Sequence, residues 1–221
     1  IVSYQKAYET GHRIMLCDIR ITADGYMVCC HDDDILKVTA YDANGAKVSS
    51  GTVKISETTL ANILSYDFSK YKGYDGLEIL QPREFLEFCS QYNDITPVFE
   101  LKTMTTEILP ELVQLIEEYG FENNVIFLSS DATIRESIAS QLPGSIIGIW
   151  RYSINNGDID SLAALNCAGK FIHVAKDGGE DGKASVNFEN YVKCKAKGVD
   201  IGYTYIGSNS RDLFDEVKYR G

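Results

Sequence analysis

The stretch Ile14-Met15-Leu16-Cys17-Asp18-Ile19 is apolar except for one carboxylate near its C-terminal end. In an extended strand successive side chains alternate between faces, so Leu16 and Asp18 point one way and Met15 and Cys17 the other. A charge at the end of an apolar strand is costly unless something pairs with it. An aspartate capping the following loop would read the same way. Five further strand-like runs follow, at residues 96–101, 124–128, 145–149, 170–174 and 199–204, and longer amphipathic stretches separate them. Residues 110–119 carry Leu112, Leu115 and Ile116 on one helical face and stop at Gly120. Residues 131–142 open on an N-cap aspartate and stop before Pro143. Helices are also expected over 187–197, ending at Gly198, and over 209–219, ending near Gly221. Short apolar strands alternating with amphipathic helices are the pattern of parallel βα units. Six such strands fit an α/β barrel or an open doubly wound sheet.

One stretch breaks the rhythm. Between the first strand and Thr96 lie about 75 residues, far more than one helix and its loops need. Residues 26–55 read as short strands around a turn at Asn44-Gly45, and residues 56–68 and 81–91 read as helices. The pattern implies an insertion within residues 26–90, carried on a loop of a single barrel domain that spans 1–221. At the ends, residues 1–11 form a helix-like segment with no strand before it, and the last helix has no strand after it. The expectation is a barrel whose first and last strands are missing because the given chain has been trimmed.

Composition excludes several classes. Hydrophobic residues make up 44% of 221, ample for a buried core, and no apolar run is long enough to span a bilayer as a helix. The formal net charge is −11, from 32 acidic and 21 basic residues, and no basic stripe is present to hold a nucleic-acid backbone. Such a balance favours solubility and leaves room for a divalent cation beside an anionic ligand. None of the six cysteines sits in a Cys-x-x-Cys pair, so a structural zinc site is not expected. Cys29 and Cys30, adjacent in an apolar run, read as small core residues, and reduced thiols point to the cytoplasm.

Two more features accompany Asp18. The turn Thr22-Ala23-Asp24-Gly25 leads into the apolar run 26–30 and then His31-Asp32, which places a histidine at a strand end near Asp18. Histidine suits proton transfer near neutral pH. In Pro97-Val98-Phe99-Glu100-Leu101-Lys102, Glu100 and Lys102 share one face, and Phe99 and Leu101 share the other. If the apolar pair packs on helices, both charges face the barrel interior at its C-terminal end, where barrel active sites lie. A buried ion pair closing the barrel is the structural alternative; binding a cation and an anion there is the functional one.

Together these spacings resemble the glycerophosphodiester phosphodiesterase family. The matching run is Gly11, then Asp18-Ile19-x-x-Thr22-x-Asp24-Gly25, Val28-x-x-His31-Asp32 and Glu100-x-Lys102, with looser matches at residues 126–131, 198–201 and Tyr203-Thr204. The resemblance implies a phospholipase C-like TIM (β/α)8 barrel with a small insertion after its second strand. It also implies metal-assisted hydrolysis of glycerophosphodiesters to glycerol phosphate and an alcohol, with magnesium or calcium. On that resemblance Asp18 and Glu100 match metal-binding carboxylates, His31 matches one of two histidines acting as acid and base, and Lys102 matches a lysine that neutralises the phosphate. The family's histidine-arginine pair and its following glutamate-asparagine pair have no counterpart in the given chain. Where the family has Glu-x-Asp this chain has Leu16-Cys17-Asp18, so one metal carboxylate is absent. Two other readings stand beside the hydrolase: a degenerate member that binds a phosphate ester without turning it over, and a phospholipase-like relative acting on a lipid headgroup. His173 reads as structural.

Overall fold

All six expected strands form in the computed structural model of the chain, which describes residues 1–38, 46–47, 51–68, 77–176 and 188–205. The chain packs as two compact units, Ile1–Phe127 and Leu128–Gly221. The first contains α1 (Val2–Glu9), β1 (Ile14–Ile21), β2 (Met27–Cys29), α2 (Leu60–Ile63), α3 (Pro82–Ser90), β3 (Thr96–Leu101) and α4 (Leu109–Glu118). The chain passes into the second within β4 (Ile126–Leu128) and continues through α5 (Ala132–Gln141), β5 (Ile146–Arg151), α6 (Asn156–Ala163), β6 (Gly169–Lys176), α7 (Phe188–Ala196) and β7 (Asp200–Tyr205).

In the first unit β1 runs parallel to β3, with Leu16 opposite Val98 and Asp18 opposite Glu100, and antiparallel to β2, with Ile19 opposite Cys29. The pleat sorts the side chains as their alternation demands. Met15, Cys17 and Ile19 are buried beneath α3, whereas Ile14 and Leu16 on the other face are exposed. A run of rings fills the buried side: Tyr4 against Phe85 at 5.0 Å, Phe85 edge-on to Phe99 at 5.5 Å, and Phe99 stacked on Phe127 at 6.0 Å. The Tyr4 hydroxyl donates to the Leu16 carbonyl at 2.8 Å, and burial pushes this phenol well above its usual range, so it stays protonated to donate. The thiols behave as core groups: burial pushes Cys30 up to about 11 and Cys89 up to about 12.

The insertion has its own small core of Val28, Cys30, Ile35, Ile55, Ile63 and Ile79. One expectation fails there. Residues 56–68 do not form one helix; a single 3-10 turn at Ile55–Glu57 is followed by extended Thr58 and Thr59, and only Leu60–Ile63 is α-helical. The reason is the second threonine. The Thr59 side chain accepts from the Asn62 amide as an N-cap, which requires an extended backbone where a longer helix would have to continue. The expected Asn44-Gly45 turn and the 209–219 helix lie outside the described residues.

In the second unit β5, β6 and β7 are parallel neighbours, with Gly148 opposite Phe171, Trp150 opposite His173 and His173 opposite Gly202. Ile147, Ile149, Ile172 and Val174 fill the buried face. The Asp131 cap forms as expected, its carboxylate accepting from the Thr133 and Ile134 amides. Helix α6 escapes the sequence pattern. Gly157 in its first turn weakens it, but Asn155 caps it at the Asp158 amide, and Ile159 and Leu162 are buried. The mostly buried Asp158 carboxylate also takes a fork from Arg151 at 3.1 and 3.0 Å. His173 is half-buried in β6, its Nδ1 3.5 Å from the point that a Cβ on Gly202 would occupy.

Candidate active site

Register is what gathers the site. Because β1 and β3 are parallel with Asp18 opposite Glu100, the two carboxylates leave the same face side by side. Lys102 follows β3 directly, and its amide donates to the Ile19 carbonyl at 3.0 Å, which keeps the chain extended and returns its side chain to that face. The ammonium sits between the two acids, 2.5 Å from Glu100 Oε1 and 3.3 Å from Asp18 Oδ1. All three side chains are mostly buried. Two carboxylates and one ammonium leave the cluster with one net negative charge. Asp18 Oδ1 accepts no hydrogen bond: the Lys102 approach is an ion pair without hydrogen-bond alignment, so a buried anionic oxygen keeps lone pairs uncommitted.

That oxygen tests whether a cation fits. Magnesium is commonly held by one or two carboxylates and keeps several waters, so Asp18 with Glu100 is a suitable donor pair for an open site. No closed cage exists: among the described residues no group of three His, Cys, Asp or Glu side chains surrounds a common point. Leu16, next to Asp18 on the same face and 46% exposed, offers no oxygen.

His31 is placed differently. The turn before β2 is closed by Thr22, whose hydroxyl donates to Asp24 at 2.7 Å and accepts from the Tyr26 amide, while Gly25 takes the positive φ of 87°. The chain then returns along β1, and the Cys30 amide donates to the Asp18 carbonyl at 2.9 Å. His31 therefore follows the backbone group bonded to Asp18, but its ring is 71% exposed and makes no hydrogen bond or ion pair with Asp18, Glu100 or Lys102. Its polar neighbour is Asp32, 3.6 Å from Nδ1 to Oδ1. Burial raises the Asp32 carboxyl, but Lys37 and His31 outweigh it and hold this acid below its ordinary value. The two following aspartates are loop anchors: Asp33 accepts from the Ser56 amide and hydroxyl, and Asp34 from the Leu36 and Val53 amides.

Sequence reading misses Arg20. It lies on β1 two residues beyond Asp18, and its Nε and Nη2 both donate to the His31 carbonyl, at 3.0 and 2.8 Å. The same alternation that pairs Leu16 with Asp18 extends to residue 20, so a signal exists. Its partner leaves none, since a main-chain acceptor has no mark in sequence.

The sequence profile of the glycerophosphoryl diester phosphodiesterase family matches residues 1–145. Among solved structures, an Oleispira antarctica phosphodiesterase in complex with the product sn-glycerol-3-phosphate is 21% identical, with a TM-score of 0.72 over 100% of this chain and 83% of that one. A glycerophosphodiester phosphodiesterase from Parabacteroides distasonis is 18% identical, with a TM-score of 0.70 over 100% of this chain and 81% of that one. One from Thermotoga maritima is 17% identical, with a TM-score of 0.63 over 98% and 82%. At these identities the likeness shows the fold, the TIM (β/α)8 barrel of the α/β class that the family resemblance implied. No curated protein sequence matches the chain.

Proposed function

We propose a reaction from one premise: the chain belongs to the glycerophosphoryl diester phosphodiesterase family. The reaction is metal-assisted hydrolysis of a glycerophosphodiester, in which a water oxygen bonds to phosphorus, the phosphorus–oxygen bond to the alcohol breaks, and the alcohol leaves carrying a proton. The products are glycerol phosphate and the free alcohol; the Oleispira antarctica neighbour was solved with sn-glycerol-3-phosphate as its product. The observation that carries this reading is the cluster of Asp18, Glu100 and Lys102 on one strand-end face, inside the matched residues.

In this reading Asp18 and Glu100 hold a magnesium or calcium ion through hard oxygen donors. The bound ion supplies stabilisation of charge on the phosphoryl oxygens. Lys102, already drawn to the carboxylates, presents its remaining N–H donors to the phosphate and neutralises part of its charge. His31 has an exposed imidazole free to meet substrate, and it moves a proton between water and the leaving oxygen.

The test is release of glycerol phosphate from glycerophosphocholine by the purified protein, with magnesium, with calcium and after chelation. Turnover is expected with an ion and lost without one. His31→Ala is expected to lower kcat by about 10²–10⁴-fold, the usual contribution of a general acid or base. Full turnover in a folded His31→Ala variant would remove His31 from the mechanism. Leu16 favours one second reading, a member that binds the phosphate ester without cleaving it; calorimetric binding of glycerophosphocholine with no product release would establish that reading instead.

A further inference from the structure

We propose that Arg20 is a positioning residue for His31, clamping the histidine's main chain to the strand that carries Asp18. The inference rests on the reading of His31 as the proton-transfer group. Its structural basis is where the β1–β2 pairing ends. Cys29 is opposite Ile19, and the Cys30 amide still bonds to the Asp18 carbonyl. Beyond Cys30 the chain turns away, and Asp33 and Asp34 anchor it to the insertion through Ser56, Leu36 and Val53. His31 lies between these two anchorages with an exposed ring. Its carbonyl receives both Arg20 bonds, from Nε at 3.0 Å and Nη2 at 2.8 Å.

A carbonyl oxygen has two lone pairs, and a planar guanidinium offers two N–H groups in a fixed fork, so the pair fixes direction as well as distance. Arg20 projects from the same face of β1 as Asp18, since the two are two positions apart in the strand. One rigid strand therefore carries a metal-binding carboxylate and holds the backbone of the proton-transfer residue. Asp32, with Oδ1 3.6 Å from Nδ1, stands beside the imidazole on that backbone. The competing role for Arg20 is direct capture of the substrate phosphate, which would draw the guanidinium away from its present acceptor.

A double-mutant cycle in the full chain separates these roles. Arg20→Ala is expected to lower kcat on glycerophosphocholine by about 10²-fold with little change in KM, the size of a loss from small misplacement of a reacting group. In a His31→Ala background the same substitution is expected to lower kcat no further, because its effect passes through the missing imidazole. Equal losses in both backgrounds, or a loss confined to KM, would overturn the proposal in favour of phosphate capture. A second reading does not depend on turnover. The chain has three histidines, and Arg20→Ala is expected to shift and broaden the His31 ring proton signals in NMR spectra while those of His12 and His173 stay in place. An unchanged His31 signal overturns the clamp even if the chain proves inactive, whereas a shifted signal in an inactive chain retains the clamp and rejects only the hydrolase reading. Should Arg20→Ala fail to fold, Arg20→Lys keeps the stem and charge with a single-point donor and gives both readings at smaller amplitude.

Discussion

Leu16 occupies the place on β1 where a third oxygen could join Asp18 and Glu100, and its side chain stands in solvent. The fold therefore tolerates a change there; the Tyr4 hydroxyl bonds to its carbonyl whatever the side chain. Leu16→Glu is expected to strengthen ion binding, because ligand charge tunes affinity for hard cations. Without an ion the added carboxylate repels Asp18 and Glu100, so the variant should unfold at a lower temperature than the parent. With an ion at ten times its dissociation constant, linkage returns about 1.4 kcal/mol, and the tighter-binding variant reaches that at lower concentration. Thermal unfolding with and without magnesium and calcium checks this, and equal ion-induced shifts in the two proteins would show that residue 16 does not reach the ion. At this scale the sequence is informative about identity and face. Asp18, Glu100 and Lys102 are legible because alternation alone puts them on one side of their strands. The exposure of His31 and its Arg20 clamp are not, because they depend on where β2 leaves β1.

Elements show the same division. Strands β1, β3, β4, β5, β6 and β7 are readable from apolar runs, and α3, α4, α5 and α7 from periodicity, caps and terminal glycines. The failure at residues 56–68 comes from a local cap, and α6 is hidden behind Asn155-Asn156-Gly157, a turn-like run that only burial of Ile159 and Leu162 turns into helix. Close approach of strands also sets limits no periodicity reveals. A Cβ on Gly148 would overlap the Phe171 ring on the neighbouring strand, so Gly148→Ala is expected to destabilise by about 1–3 kcal/mol as the ring is displaced. Removing that ring first, with Phe171→Ala, should make the added methyl far less costly; denaturant unfolding of the four proteins measures the coupling, and additive losses would place the strain elsewhere. The Thr22–Asp24 turn carries a pH signature. The Thr22 hydroxyl, helped by the Leu60 amide, holds the Asp24 carboxyl below its usual value against a smaller effect of burial. A depressed folded value means that the stabilisation is present above the unfolded value of about 3.9 and is lost as pH falls through the folded one. Asp24→Asn should therefore remove part of the acid-side stability loss, read from unfolding midpoints between neutral and acid pH.

For the molecule as a whole, charge and connectivity are decided by sequence. A net charge of −11 with a pI near 4.7 predicts retention on an anion exchanger at neutral pH and passage through a heparin column at low salt; retention on heparin would reveal a basic surface that composition conceals. Among the described residues no helix is long and apolar enough to cross a membrane. The order of strands and helices follows from local patterns, because hydrophobic period, caps and turn residues act over a few neighbours. Which charges meet is a different matter. Asp18 and Glu100 are separated by the whole insertion, and they stand side by side because parallel pairing sets their register, a choice made by the packing of Phe85, Phe99 and the buried face of β1. Sequence by itself determined the fold class and the chemical types at the strand ends. Only tertiary structure decided that Lys102 sits between the two acids, that Asp18 keeps an oxygen unbonded, and that His31 is held through its backbone, since each depends on distances between segments remote in the chain.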